Sequence, residues 1–301
     1  MKVAITGASG LVGTALVPFL TTGGHEVVRL VRRPARGRDE ARWDPERGEL
    51  DRGPLEGAEA VVHLAGANIA EGRWTDARKR ELRDSRLGPT RRLSETLASL
   101  PRPPKVLVSS SATGYYGERG DAWVDETDPP ASDFLGALAR EWEEATEPAA
   151  GAGIRVVRLR TGIVLTPEGG ALGKMLLPFK LGLGGVLGSG RQHMSWIAID
   201  DLLDVIHFAM ATPALVGPVN AVAPEAATNH EFTKTLGRVL GRPTVAPAPA
   251  FALRLAFGEM ADATVLVSTR VRPRRLLDAG YRFRFPALED ALRHLLGRTR
   301  S

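Results

Sequence analysis

Seven residues near the start limit what this chain can become: Gly7-Ala8-Ser9-Gly10-Leu11-Val12-Gly13, set between the apolar run 2–6 and a helical pattern that begins at Leu11. The run reads as a β-strand, and Leu11, Val12, Ala15, Leu16, Phe19 and Leu20 recur at the spacing of one helix face. Glycines at 7, 10 and 13 permit a tight turn, close approach of backbone to a pyrophosphate, and close packing of helix on strand. The free N–H groups of the first helical turn then face phosphate oxygens, with the positive end of the helix dipole behind them. A glycine loop in that setting predicts a dinucleotide site.

The same alternation continues along the chain. Segments 26–31, 60–65, 105–109 and 155–160 read as further strands, and 75–100 and 132–148 as helices between them. Strand and helix in turn imply an α/β fold, a doubly wound parallel sheet with helices on both faces. Past about Leu165 the pattern changes to a glycine-rich excursion, 169–190. Asp200 and Asp201 open another helix, and 218–221 is a short strand able to return to the sheet. Thr228-Asn229-His230-Glu231 fits a capping box, with Gly241 and Pro243 as the stop. A last helix is expected over 286–296, with Pro286 at its first position. The expected division is a nucleotide-binding domain of 1–165 and 195–225, and a smaller substrate domain of 166–194 and 226–301.

At the end of the second strand, where an acid would read a ribose 2′-hydroxyl, the sequence is Leu30-Val31-Arg32-Arg33-Pro34. Guanidinium groups there suit a 2′-phosphate, so the expected cofactor is NADP. All but six of the 40 basic residues are arginine, scattered without basic blocks, and nucleic acid is not an expected partner. The chain has no cysteine, which removes disulfides and thiol chemistry. No apolar stretch is long enough to span a bilayer, and the strand at the start leaves no room for a signal peptide, so the expectation is a cytoplasmic protein without membrane contact. The six histidines show no ligand spacing, and no metal site is expected.

The glycine loop is followed by Val61-Val62-His63-Leu64-Ala65-Gly66-Ala67 and by Ser109-Ser110-Ser111-Ala112-Thr113-Gly114-Tyr115-Tyr116-Gly117. With these, the chain resembles the extended short-chain dehydrogenase/reductases of the NAD-dependent epimerase/dehydratase superfamily. More narrowly it is similar to the atypical, sugar-nucleotide-epimerase-like family, whose members carry an NADP-binding Rossmann domain and a characteristic C-terminal domain. Further matching pieces are Thr161-Gly162-Ile163-Val164-Leu165, Gly188-Ser189-Gly190-Arg191-Gln192, Ser195-Trp196-Ile197 and Asn220-Ala221-Val222-Ala223-Pro224. The resemblance implies cofactor contacts at Gly7, Ser9, Gly10, Leu11, Gly13, Arg32 and Arg33, and at His63, Leu64 and Ala65. It extends them to Glu81, Arg86, Thr161, Gly162 and Ile163, although a plain ion pair is an equal reading for Glu81 and Arg86.

Typical superfamily members place a Tyr-x-x-x-Lys pair on the helix after the serine-rich strand. Here those positions are Phe134 and Leu138, which transfer no proton. Ser111 aligns with the serine that polarises a substrate carbonyl, and Tyr115 or Tyr116 offers a substitute acid, the competing reading being a packed pocket wall. Arg191 is a candidate clamp for a substrate phosphate or carboxylate, or a solvated loop arginine. His193 has the weaker claim. Two functions remain: an NADP-dependent oxidoreductase or epimerase acting on a carbonyl or secondary alcohol of a small molecule, a nucleotide-linked sugar being one such substrate, and a non-catalytic NADP-binding sensor or partner-stabilising protein.

Overall fold

A computed structural model describes residues 1–298. The first half runs β1 (Lys2–Thr6), α1 (Leu11–Thr22), β2 (Glu26–Val31), β3 (Glu40–Asp44), β4 (Glu49–Leu50), β5 (Ala60–His63), α2 (Asp76–Asp84), α3 (Leu87–Ala98), β6 (Val106–Ala112), β7 (Trp123–Val124), α4 (Phe134–Glu144), α5 (Glu147–Gly151) and β8 (Arg155–Thr161). The second half runs β9 (Ile163–Leu165), α6 (Gly170–Lys180), β10 (His193–Met194), β11 (Trp196–Ala198), α7 (Ile199–Ala211), β12 (Gly217–Ala221), β13 (Ala227–Thr228), α8 (Asn229–Leu240), α9 (Ala250–Phe257), β14 (Arg270–Val271), α10 (Arg274–Asp278) and α11 (Leu288–Leu295).

The main sheet has the order β12-β8-β6-β5-β1-β2-β3-β4, parallel throughout except for the β3–β4 edge. The chain winds one way from β1 through β2 and β3, then the other way through β5, β6, β8 and β12. The crevice at that reversal, beyond the carboxyl ends of β1 and β5, is where such sheets bind ligands. Alternate strand residues serve opposite faces. Val3, Ile5, Val62, Val108 and Leu159 join Leu16 and Leu20 of α1 and Leu202 and Ile206 of α7. Ala4, Val61, Leu107 and Val156 face Leu93 and Leu97 of α3. A third core, from Leu172, Leu176, Trp196, Phe232, Leu236 and Leu292, unites α6, α8 and α11 around β9 and β11.

Four expectations change, the first being that the helix over 132–148 is two helices, α4 and α5, parted at Ala145 and Thr146. The helix over 75–100 is two helices, because Pro89 has no N–H for the carbonyl of Ser85 and so sits in the first turn of a new helix. The excursion 169–190 contains α6, in which Leu172, Leu176 and Phe179 bury one face. Pro286 lies outside the last helix, which begins at Leu288 with Ala287 as its cap residue. The capping box at Thr228 and Glu231 and the left-handed Gly241 stand as expected. Strand β3 escaped the reading because Glu40-Ala41-Arg42-Trp43-Asp44 looks polar, although only Arg42 of these is exposed.

His63, the last residue of β5, locks the reversal point. The backbone N–H groups of Leu64 and Ala65 donate to Thr6 Oγ1 at 3.1 and 3.3 Å. The Thr6 hydroxyl therefore gives its proton to His63 Nδ1 at 2.7 Å, which leaves the hydrogen of the neutral ring on Nε2, directed to Thr90 Oγ1 at 2.8 Å. Burial pushes His63 down to about 4 from its ordinary 6.5. Between those values the unfolded chain binds the proton and the folded one does not, so stability falls as pH drops through this window. His63 alone withdraws on the order of 3 kcal/mol there. Urea unfolding at pH 7.5 and pH 4.5 should show this loss in the wild type, and a clearly smaller one in His63→Gln.

Candidate functional site

The glycine loop leaves β1 at Gly7, whose φ of +68° suits glycine; a Cβ there would stand 2.9 Å from Ala65 N and Leu64 C, on the neighbouring strand exit. At Gly13 a Cβ would lie 2.2 Å from Gly7 O, so helix and loop meet with no room for a side chain. Gly10 caps α1 without any side-chain bond, and the first turn has no acid. Ser9 and Gly10 are exposed, and Leu11 reaches under the Gly169–Gly170 turn. The loop thus presents uncapped N–H groups and bare backbone, which fits a pyrophosphate.

The two arginines at the end of β2 prove unequal. Arg33 grips Glu40 through both terminal nitrogens at 2.7 and 2.6 Å, and this pairing, with the backbone N–H of Arg36, holds the buried carboxyl down at about 2. Arg32 is exposed and has no ion-pair partner among the described residues.

Beyond β5, Leu64 and Ala65 are half-buried on the crevice side, whereas the His63 ring is enclosed and offers a ligand only its backbone. Arg86 is buried, with Nη2 donating to Ala67 O at 2.9 Å and Nη1 to Leu82 O at 3.0 Å. Burial, with Arg78 nearby, pushes it down to about 10, and it meets no carboxylate among the described residues. Glu81 is exposed and pairs with Arg78 at 2.7 Å. Across the crevice Thr161 and Ile163 are half-buried. Between them Gly162 admits no Cβ, which would lie 2.5 Å from Ser195 O.

The serine and tyrosine candidates belong to a polar network that the sequence reading missed. Arg160, at the end of β8, donates Nε and Nη2 to the two oxygens of Glu143 on α4 at 2.8 and 2.9 Å, both residues buried. Ser111 Oγ donates to Glu143 Oε1 at 2.7 Å. Arg160 Nη1 donates to Tyr116 Oη at 3.0 Å, which donates in turn to Asn220 Oδ1 at 2.7 Å. The backbone N–H of Asn220 meets Glu126 at 2.9 Å. A signal was present: Glu143 falls on the apolar stripe Leu135, Leu138, Ala139, Trp142, where only a paired carboxylate belongs.

This network corrects the expectation for Tyr116. Its side chain is fully buried, and burial pushes the hydroxyl well above its ordinary range, so it is an interior strut without access to substrate. Tyr115 differs. It is half-buried, its ring lies 3.4 Å from the Arg160 guanidinium carbon, and its hydroxyl has no hydrogen-bond partner among the described residues. Phe134 and Leu138 are packed, Phe134 edge-on to Trp74 at 5.4 Å and Leu138 in the cluster of Trp74, Leu82, Leu135 and Met260. Arg191 is exposed in its loop, with no side-chain partner among the described residues. His193 lies 3.5 Å from Asp121.

Removing one member of the buried pair strands the other. Glu143→Ala should destabilise the protein by about 3–5 kcal/mol in urea denaturation, against under about 1 kcal/mol for the exposed pair variant Glu144→Ala.

The NAD dependent epimerase/dehydratase family pattern matches residues 3–222, and a domain of unknown function, DUF1731, matches 248–295. Epimerase family protein MT2273 of Mycobacterium tuberculosis is 47% identical over 290 residues, 96% of either chain. Human epimerase family protein SDR39U1 is 39% identical over 299 residues, 98% of this chain and 100% of its own. A crystal structure of human SDR39U1 with NADPH superposes with a TM-score of 0.90 at 36% identity, covering 99% of this chain and 100% of that one. A nucleoside-diphosphate sugar epimerase from Corynebacterium glutamicum follows at 0.82 and 38%, covering 99% of this chain and 58% of its own. The matched pattern, the reversed parallel sheet and the glycine loop agree: this chain belongs to the NAD dependent epimerase/dehydratase family.

Proposed function

We propose that the protein binds NADP(H) in the crevice between β1 and β5 and acts as an oxidoreductase or epimerase on a carbonyl or secondary alcohol of a small molecule. A nucleotide-linked sugar is one substrate of that kind. The observation that carries the reading is Arg32, an exposed guanidinium without an ion-pair partner among the described residues, standing where the adenosine ribose of a cofactor in the glycine loop would end. A 2′-phosphate supplies the missing anion, and Arg33, tied to Glu40, stiffens the turn beside it. The human relative crystallised with NADPH supports the same cofactor.

When bound, the nicotinamide exchanges hydride with a carbon of the substrate. The chain's own part is the proton on the neighbouring oxygen. Ser111 has its hydrogen committed to Glu143 and so serves to position, while Tyr115 holds the free phenol. A phenol gives a proton to a developing alkoxide more readily than it takes one at neutral pH, so reduction is the favoured direction. The apolar face of α4 excludes water from the positions of the absent tyrosine and lysine.

Arg32→Ala should weaken NADPH binding by about 1.5–3 kcal/mol and leave NADH binding nearly unchanged, as read by fluorescence titration. Equal wild-type affinities for the two cofactors would end the NADP reading. Tyr115→Phe should lower turnover by ~10²–10⁴ at unchanged NADPH affinity. The packing of Phe134 and Leu138 favours a second reading, a non-catalytic NADP(H) sensor. Tight NADPH binding with no NADPH oxidation across a panel of aldehydes, ketones and keto sugars would select it.

A further inference from the structure

Tyr115 closes the short helical turn that follows β6. Its ring meets that of Tyr116 edge-on at 5.3 Å and lies 3.4 Å from the guanidinium carbon of Arg160. At that distance the carbon stands over the ring in van der Waals contact, so cation and phenol are stacked. The buried ion pair leaves room for this stack. Glu143 takes Nε and Nη2 and Tyr116 takes Nη1, all at the edge of the guanidinium plane, and its face is left to Tyr115. The other charged groups packed about this loop are engaged elsewhere. Arg119 donates to the carbonyls of Tyr116 and Pro129, Asp133 accepts from the backbone of Gly136, and Glu126 accepts from the backbone of Asn220 and Arg275.

A phenol that gives up its proton keeps a negative charge spread over ring and oxygen. An anionic ring on a guanidinium face is favoured by charge as well as by stacking, and in a partly buried place water screens the attraction less. Glu143 opposes it, but from the edge of the cation, while the ring covers the carbon. Arginine also keeps its charge throughout. Phe134 and Leu138 supply no cation, so Arg160 is the one that meets the Tyr115 ring among the described residues.

We propose that Arg160 is the positioning residue of the proton donor: it holds the Tyr115 ring at the crevice and balances the charge left there when the proton departs. This rests on the reading of Tyr115 as the donor. In the step, the Tyr115 O–H bond breaks and the hydrogen joins the substrate oxygen, while the neighbouring carbon is reduced by hydride from NADPH. The electron pair stays on the phenolate, which water reprotonates.

The chain has three tyrosines, and burial separates them. Tyr116 and Tyr281 are buried, which pushes both hydroxyls well above their ordinary range. The ultraviolet absorbance of ionised tyrosine, followed from about pH 8 to 11 on the cofactor-free protein, therefore reads Tyr115, and Tyr115→Phe should abolish the change. Replacing the ion pair together, Arg160→Met with Glu143→Leu, removes the cation and keeps the interior filled, and the midpoint should rise by about one pH unit. Glu143→Gln keeps the cation and removes its counter-charge, and the midpoint should fall. A loosened structure would move both variants the same way, whereas a charge effect moves them apart. If circular dichroism shows one variant unfolded, the other carries the test. If both unfold, Arg160→Lys carries it: Glu143 stays paired, the flat face is lost, and the midpoint should rise. No Tyr115-dependent change in the wild type, an unmoved midpoint in the folded variants, or movement of both in one direction overturns the proposal. The titration needs neither substrate nor NADPH. Wild-type turnover in Tyr115→Phe would end the donor reading separately and leave the stack a structural contact.

Discussion

Two charges taken out of water hold the centre of this molecule. Desolvating Arg160 and Glu143 costs several kcal/mol per ion, and the cost is met because each guanidinium nitrogen and each carboxylate oxygen finds a partner. Their partners come from four places in the chain: Ser111 on β6, Tyr116 on the following loop, α4 through Glu143 itself, and Asn220 on β12 through the Tyr116 hydroxyl. The carboxyl ends of three parallel strands are thereby fixed to one helix and one loop. Here the charges are mutually compensated, and the Tyr115 ring rests on the guanidinium that the pair immobilises.

The parts of the fold governed by local rules were legible before any coordinates. Glycine spacing and strand alternation gave the sheet, the crevice and the cofactor loop, because backbone sterics and period-two burial act over a few residues. Capping at Thr228 was legible for the same reason. Pairings across the chain were not. Glu143 and Arg160 are 17 residues apart on different elements, and Glu126 meets Asn220 across 94. Nor does the sequence pattern tell Arg32 from Arg33; only the approach of Glu40 on β3, a strand that reads as polar, makes one arginine a structural pair and leaves the other free.

The apolar replacement on α4 has a cost and a return. Trp74, Leu82, Leu135 and Leu138 close over one another and take in Met260 from the C-terminal part, so the face where catalytic groups would project has become an attachment surface. Lys79 adds an ion pair to Glu259 beside it, and Arg73 donates to the Leu255 carbonyl. The matched unit of unknown function at 248–295 is therefore attached to α2, the segment before it and α4 through Leu255, Glu259 and Met260.

The last of these attachments bears on the order in which the chain can be built. Val271 donates its N–H to Ser195 Oγ, Asn220 Nδ2 donates to Arg272 O, and α10 packs on β12. Residues near position 270 thus complete hydrogen bonds left open by groups made 50 to 150 residues earlier, on β12 and on the loop at Glu118. During synthesis the sheet leaves the ribosome before the segment around 270 that closes these hydrogen bonds. A nascent chain paused before this segment holds a formed glycine loop on an unsealed sheet edge, a species that depends on its surroundings to stay apart from its neighbours.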